Sequence, residues 1–121
     1  MSASPRVLIV DESNETRQVL REVLQSQGMQ ILEADRADEG LALARCEHPD
    51  LIVLDLELQH GAAQQVSASF AATSHDRQTP LILLGTARVR RTAAPEGEFV
   101  QKPYHYAPLI RKIEQLLADA A

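Results

Sequence analysis

Three strand-like runs in this chain each end in a charged group. Val7-Leu8-Ile9-Val10 leads into Asp11-Glu12, Leu51-Ile52-Val53-Leu54 into Asp55, and Phe99-Val100-Gln101 into Lys102. In an open parallel sheet, ligands gather beyond the carboxyl ends of the strands. If the first strand lies between the second and third, Asp11, Glu12 and Asp55 meet in one shallow pocket with Lys102 at its far wall. Carboxylates that close cannot all stay ionised without a counterion. Mg²⁺ resolves the conflict, because it takes carboxylate oxygens, waters and a substrate phosphate; Mn²⁺ is an alternative. Such a cation neutralises an incoming phosphoryl group. One carboxylate then serves as nucleophile and becomes an acyl phosphate, while the lysine ammonium holds a phosphate oxygen as a point charge. The set points to phosphoryl transfer onto an aspartate by positioning and electrostatics. Each piece alone is ordinary, since an Asp after a strand is commonly a turn or cap residue. The conjunction at three strand ends carries the reading.

The elements that must position these groups can be read from periodicity. Continuous apolar runs at 7–10 and 51–54 suit strands buried on both faces. Between them, Ser13 or Asn14 opens a helix with Val19, Leu20, Val23 and Leu24 on one stripe, and Gly28 stops it. Met29 to Ala34 reads as a second strand. Asp38 to Glu47 reads as a second helix with Leu41, Leu43 and Ala44 inward, broken by Pro49-Asp50. Gln64 to Ala72 is a weakly amphipathic helix with Val66 and Phe70 inward. Pro80 starts a fourth strand, Leu81 to Leu84. Residues 88–94 form about two turns, ended by Pro95 and Gly97. A fifth strand, Phe99 to Gln101, stops at Lys102-Pro103, and a last helix spans Tyr106 to Ala118. Alternating β and α units on one 121-residue chain predict a single α/β domain over residues 1–121. The expected architecture is a flavodoxin-like, doubly wound, five-stranded parallel sheet of order 2-1-3-4-5 with a shortened fourth helix.

Composition excludes several classes. With 12 Lys and Arg against 17 Asp and Glu, the net charge is −5. An acidic chain without a basic tract is a poor partner for nucleic acid or an anionic membrane, and no apolar run approaches the ~20 residues of a membrane span. The lone Cys46 cannot form an internal disulfide. The first six residues lack the apolar segment of a signal peptide, so a cytoplasmic protein is expected.

The same residues resemble the receiver domain of bacterial response regulators, the CheY-like family. Residues 7–12 look like its acidic-pair strand, Pro49 to Leu56 like its phosphoacceptor strand, and Phe99-Val100-Gln101-Lys102-Pro103-Tyr104 like its Lys-Pro signature. The stretch from Ala34 to Leu41, with Glu39, resembles the start of its second helix. The resemblance implies that Asp55 is the phosphoacceptor, Glu12 a direct metal ligand and Asp11 its water-mediated companion. It further implies that the Glu57 carbonyl completes the Mg²⁺ shell and that Lys102 contacts the phosphoryl group. A sensor histidine kinase or phosphotransfer protein would be the phosphoryl donor, and a downstream protein partner would take the output.

Several positions depart from the family pattern. The acidic pair ends in Glu12 rather than Asp. Gln59 and Ala63 replace the usual Pro and Gly, and His60-Gly61 makes a different turn. The hydroxyl that ends strand four falls on Gly85 by ungapped count, or on Thr86 if the strand carries a one-residue bulge. Phe99 stands at the aromatic switch position. The gap from Thr86 to Lys102 is about five residues short by the resemblance, and Arg88-Val89-Arg90-Arg91 lies within it, either as a solvated stretch or as a basic docking surface.

Two further function classes compete. A pseudo-receiver, binding a protein without phosphate, is favoured by Gly85, Glu12 and the short fourth helix. A flavin protein would want a phosphate loop without Asp11-Glu12 and more aromatics than this chain has. A haloacid-dehalogenase-type hydrolase would want Asp where Glu57 stands.

Overall fold

The computed structural model describes residues 4–57, 63–91 and 97–120. Strands and helices alternate as β1 (Arg6–Val10), α1 (Asn14–Ser26), β2 (Gln30–Ala34), α2 (Ala37–Glu47), β3 (Leu51–Asp55), α3 (Ala63–Arg77), β4 (Leu81–Gly85), α4 (Ala87–Arg90), β5 (Glu98–Gln101) and α5 (Tyr106–Ala120). The strands form one five-stranded sheet of order β2-β1-β3-β4-β5, parallel throughout. This is the expected doubly wound order.

Side chains alternate across the sheet and so feed two cores. Leu8, Val10, Ile52, Leu54 and Leu83 pack with Ala44, Phe70 and Ala71 from α2 and α3. Val7, Ile9, Val53, Ile82 and Leu84 pack with Leu20, Leu24, Leu109 and Ile113 from α1 and α5. Every residue of β3 and β4 is buried, which is why their sequences are apolar without alternation. The edge strands β2 and β5 are half-buried.

Local signals fix most boundaries. The Ser13 side chain accepts a hydrogen bond from Thr16 N–H at 3.1 Å and caps α1. Gly28, at φ 88°, turns the chain into β2. Helix α3 runs to Arg77, five residues past the expected end at Ala72. Its inward face includes Ser67 and Thr73 as well as Phe70 and Ala71, so the apolar period fades from the sequence although the helix persists. Helix α4 is described over four residues, none of them buried; the rest of the expected two turns, residues 92–94, lies outside the described residues, as do Pro95, Gln59, His60 and Gly61.

The register resolves the end of the fourth strand. Pairing runs without a skipped residue from Ile52↔Leu81 to Asp55↔Leu84 and from Ile82↔Glu98 to Gly85↔Gln101. No bulge draws Thr86 into the strand, so Gly85 is its terminal residue and Thr86 is the N-cap of α4.

Among the described residues, no helix is long and apolar enough to cross a membrane.

Candidate functional site

Asp11 extends the β1 ladder by one residue, its N–H donating to the Ala34 carbonyl at 3.0 Å. Strand alternation then turns Asp11 inward, to 3% exposure, and leaves Glu12 exposed. The Asp11 Oδ1 accepts the Ser13 N–H at 2.8 Å, and Arg17 reaches the Asp11 carbonyl at 3.4 Å. The first turn of α1 thus fixes the carboxyl group.

Asp55 closes β3 and is 6% exposed. Its Oδ1 accepts from the Lys102 Nζ at 2.8 Å and from the Glu57 N–H at 3.0 Å. Lys102 is placed by its own N–H, which donates to the Gly85 carbonyl at 2.8 Å and carries the β4–β5 ladder one residue further. The Glu57 carboxylate sits at the same mouth. Its Oε1 accepts the Thr86 N–H at 3.1 Å and lies 3.7 Å from Lys102 Nζ.

The electrostatics follow from this geometry. Burial pushes the Asp11 carboxyl up to about 6; the Ser13 N–H opposes the rise, and the neighbouring Asp55 adds to it. Burial disfavours charge on Lys102, but its hydrogen bond to Asp55 and attraction to Asp55, Glu57 and Asp11 hold the ammonium above its usual value. Burial also raises the Tyr104 phenol, with Tyr106, Asp11 and Asp55 contributing. Tyr104 meets Tyr106 edge to face at 5.8 Å. The two rings, with Thr16, Thr86, Lys102 and Pro103, line an open groove of about 470 Å³ beside the pocket.

The structure therefore brings together Asp11, Asp55, Lys102, Glu57 and Thr86. Among the described residues no three acidic, His or Cys side chains form a metal-holding group, and Glu12, the third carboxylate expected here, is exposed. The donor set still suits Mg²⁺, which commonly takes one or two carboxylates and completes its shell with waters and phosphate oxygens. Two buried carboxyls, one of them raised to about 6 by burial and further by the charge of the other, are a pair that a hard cation relieves.

Sequence reasoning assigned Glu57 a role through its carbonyl alone. Its side chain bridges Lys102 and Thr86, and nothing in the local sequence signals that. Nor does it signal the Arg90 guanidinium lying 5.3 Å from the Phe99 ring centre.

Comparison with known proteins supports the same frame. The profile of the response regulator receiver domain matches residues 7–114. Protein PilH of Pseudomonas aeruginosa is 28% identical over 119 residues, covering 93% of this chain and 98% of its own. The cell cycle transcriptional regulator CtrA of Caulobacter vibrioides is 26% identical over 93% of this chain, which spans about half of that protein, 50%. The receiver domain of sensor histidine kinase PA1611 from Pseudomonas aeruginosa, solved with a magnesium ion coordinated in its active-site cleft, superposes with a TM-score of 0.77. It is 18% identical, covers 96% of this chain and 99% of its own, and at that identity it shows the fold alone. With the profile spanning nearly the whole β2-β1-β3-β4-β5 sheet, this chain belongs to the response regulator receiver domains, the CheY-like family of two-component signalling.

Proposed function

We propose that Asp55 accepts a phosphoryl group in a Mg²⁺-dependent reaction and that the modified domain signals through a protein partner in the cytoplasm. The donor is a phosphohistidine on a sensor histidine kinase or phosphotransfer protein. The observation that carries this reading is the Asp55 carboxylate, held at a strand end by the Lys102 ammonium and the Glu57 N–H. These contacts orient the carboxylate and hold a positive charge where negative charge arrives. An Asp55 oxygen attacks phosphorus, the P–N bond to the donor imidazole breaks with its electron pair, and a mixed anhydride forms. Lys102 then neutralises a phosphoryl oxygen. Glu12, Asp55 and the Glu57 carbonyl would hold the cation, with Asp11 as its water-mediated companion. When bound, the cation neutralises charge on the transferring group. The chain is a phosphoacceptor and not a turnover enzyme.

Gly85 favours a second reading. A hydroxyl at this strand end would answer the phosphoryl group, and glycine has none, which suits a pseudo-receiver that binds its partner without phosphate. Incubation with acetyl phosphate and Mg²⁺, followed by intact mass, separates the two. The proposed function expects one added phosphoryl group on the wild type and none on Asp55→Ala. An unmodified wild type leaves the phosphate-independent module.

A further inference from the structure

We infer that the Glu57 side chain is an anionic strap across the mouth of the Asp55 pocket and that it limits access of phosphoryl donors. The inference rests on the reading of Asp55 as phosphoacceptor. Glu57 lies two residues beyond Asp55, and its own N–H is already committed to Asp55 Oδ1 at 3.0 Å. That bond fixes the backbone from which the side chain projects. The Oε1 then reaches two groups from different strands: the Thr86 N–H just past β4, at 3.1 Å, and the Lys102 ammonium just past β5, at 3.7 Å. One carboxylate oxygen thereby spans the carboxyl ends of β3, β4 and β5.

The consequence is competition. Lys102 carries the only ammonium or guanidinium bonded to Asp55 among the described residues, and Glu57 takes part of its charge. An incoming phosphoryl group is anionic, needs that ammonium, and is repelled by the Glu57 carboxylate. It must therefore displace the strap. Displacement also releases Thr86, the N-cap of a helix of four residues with no buried side chain, so donor access and the freedom of α4 are linked through one hydrogen bond. A carboxylate 36% exposed can swing out into water at small cost, which makes the strap a brake and not a block.

The test compares wild type with Glu57→Ala, Glu57→Gln and Glu57→Asp, using acetyl phosphate with Mg²⁺ and following labelling by mass. The Thr86 amide is followed in parallel by hydrogen exchange without donor. Glu57→Asp is the discriminating variant, because it keeps the charge but is one methylene too short for the Thr86 bond. We expect Glu57→Ala and Glu57→Asp to label about five- to tenfold faster than wild type, the scale of one exposed charge-assisted hydrogen bond. The Thr86 amide should exchange faster by a similar factor in both. Glu57→Gln keeps an acceptor and should fall between. Labelling of Glu57→Asp at the wild-type rate would mean that charge alone matters and overturns the strap. Equal labelling of all four proteins overturns it and leaves Asp55 as phosphoacceptor. No labelling of any of them, with or without a Glu57-dependent Thr86 amide, removes the phosphoacceptor reading and the brake with it.

Discussion

The Lys102 ammonium meets Asp55 Oδ1 at 2.8 Å across β4, the strand that separates their own. The contact joins the ends of β3 and β5 through side chains, where backbone pairing cannot. It is also the charge that makes two neighbouring buried carboxyls, Asp11 and Asp55, tolerable in one pocket. Removing one partner of a shielded pair leaves the other uncompensated. Lys102 is 28% exposed, so water recovers part of the loss. Lys102→Ala should therefore destabilise the metal-free protein by about 1–2 kcal/mol at neutral pH. Urea unfolding with and without saturating Mg²⁺ checks this. The deficit should shrink with Mg²⁺, and a deficit that does not respond would mean that the lysine stem, not its charge, was lost.

Asp11 gives the metal-free protein a pH dependence of determinate sign. Its folded carboxyl titrates at about 6, above the ~3.9 of an unfolded aspartate. Between those values the folded state binds more protons than the unfolded one, so stability falls as pH rises through this window. The contribution of Asp11 is most favourable below about pH 4 and is lost above about pH 6. Over the window the wild type should lose on the order of 1–3 kcal/mol that Asp11→Asn retains. Thermal melts of both proteins from pH 4 to pH 7.5 in chelator provide the comparison. Parallel curves would show that Asp11 does not titrate with folding.

Gly40 sets how closely α2 approaches the end of β1. A Cβ there would lie 2.6 and 2.8 Å from the two Val10 methyls and 3.3 Å from the Phe70 ring. Alanine gains up to ~1 kcal/mol of helix propensity over glycine, but overpacking of this severity costs about 1–3 kcal/mol. Gly40→Ala should come out destabilised by about 1 kcal/mol or more. Because Val10 precedes Asp11, the displaced strand end should also slow Asp55 labelling. A variant as stable as wild type would show that α2 can stand off the sheet freely.

The sheet order and the Asp11, Asp55 and Lys102 positions are legible in the sequence for one reason. Fully buried central strands must be apolar along their length, so their first polar residue marks the strand end, where a parallel sheet collects its ligands. The same logic puts Glu12 at the strand end, but it counts residues and does not tell which side of the strand each faces. Helix α3 was underread, since Ser67 and Thr73 are buried polar residues that hide its period. That β4 ends at Gly85 needed the register on both sides of the strand, which no local signal carries. The Glu57 bridge depends on three strand ends meeting, a relation invisible to any one segment.

Gly85 also governs the face beyond the pocket. A Cβ on it would stand 3.2 Å from a Val89 methyl and 3.3 Å from the edge of the Phe99 ring. These two side chains thus occupy the room that a larger strand-end residue would claim, and Arg90 stacks over the same ring. Phe99 is drawn against α4 in this structure. Switching in such a domain requires two packings of similar energy, and the missing side chain is expected to favour this one. Gly85→Ser should restore the alternative. Val89 rides on a four-residue helix with nothing buried and Phe99 on a half-buried edge strand, so both can yield, and the cost should be about 1 kcal/mol or less. Hydrogen exchange over residues 86–91, with and without beryllofluoride and Mg²⁺, reads the coupling. Wild type should show fast exchange with a modest response. Gly85→Ser should show a larger response, because its hydroxyl stands one residue from the Leu84 that pairs with Asp55. If wild type already responds as strongly as Gly85→Ser, the glycine does not bias the switch, and Phe99 moves independently of the room beside Gly85.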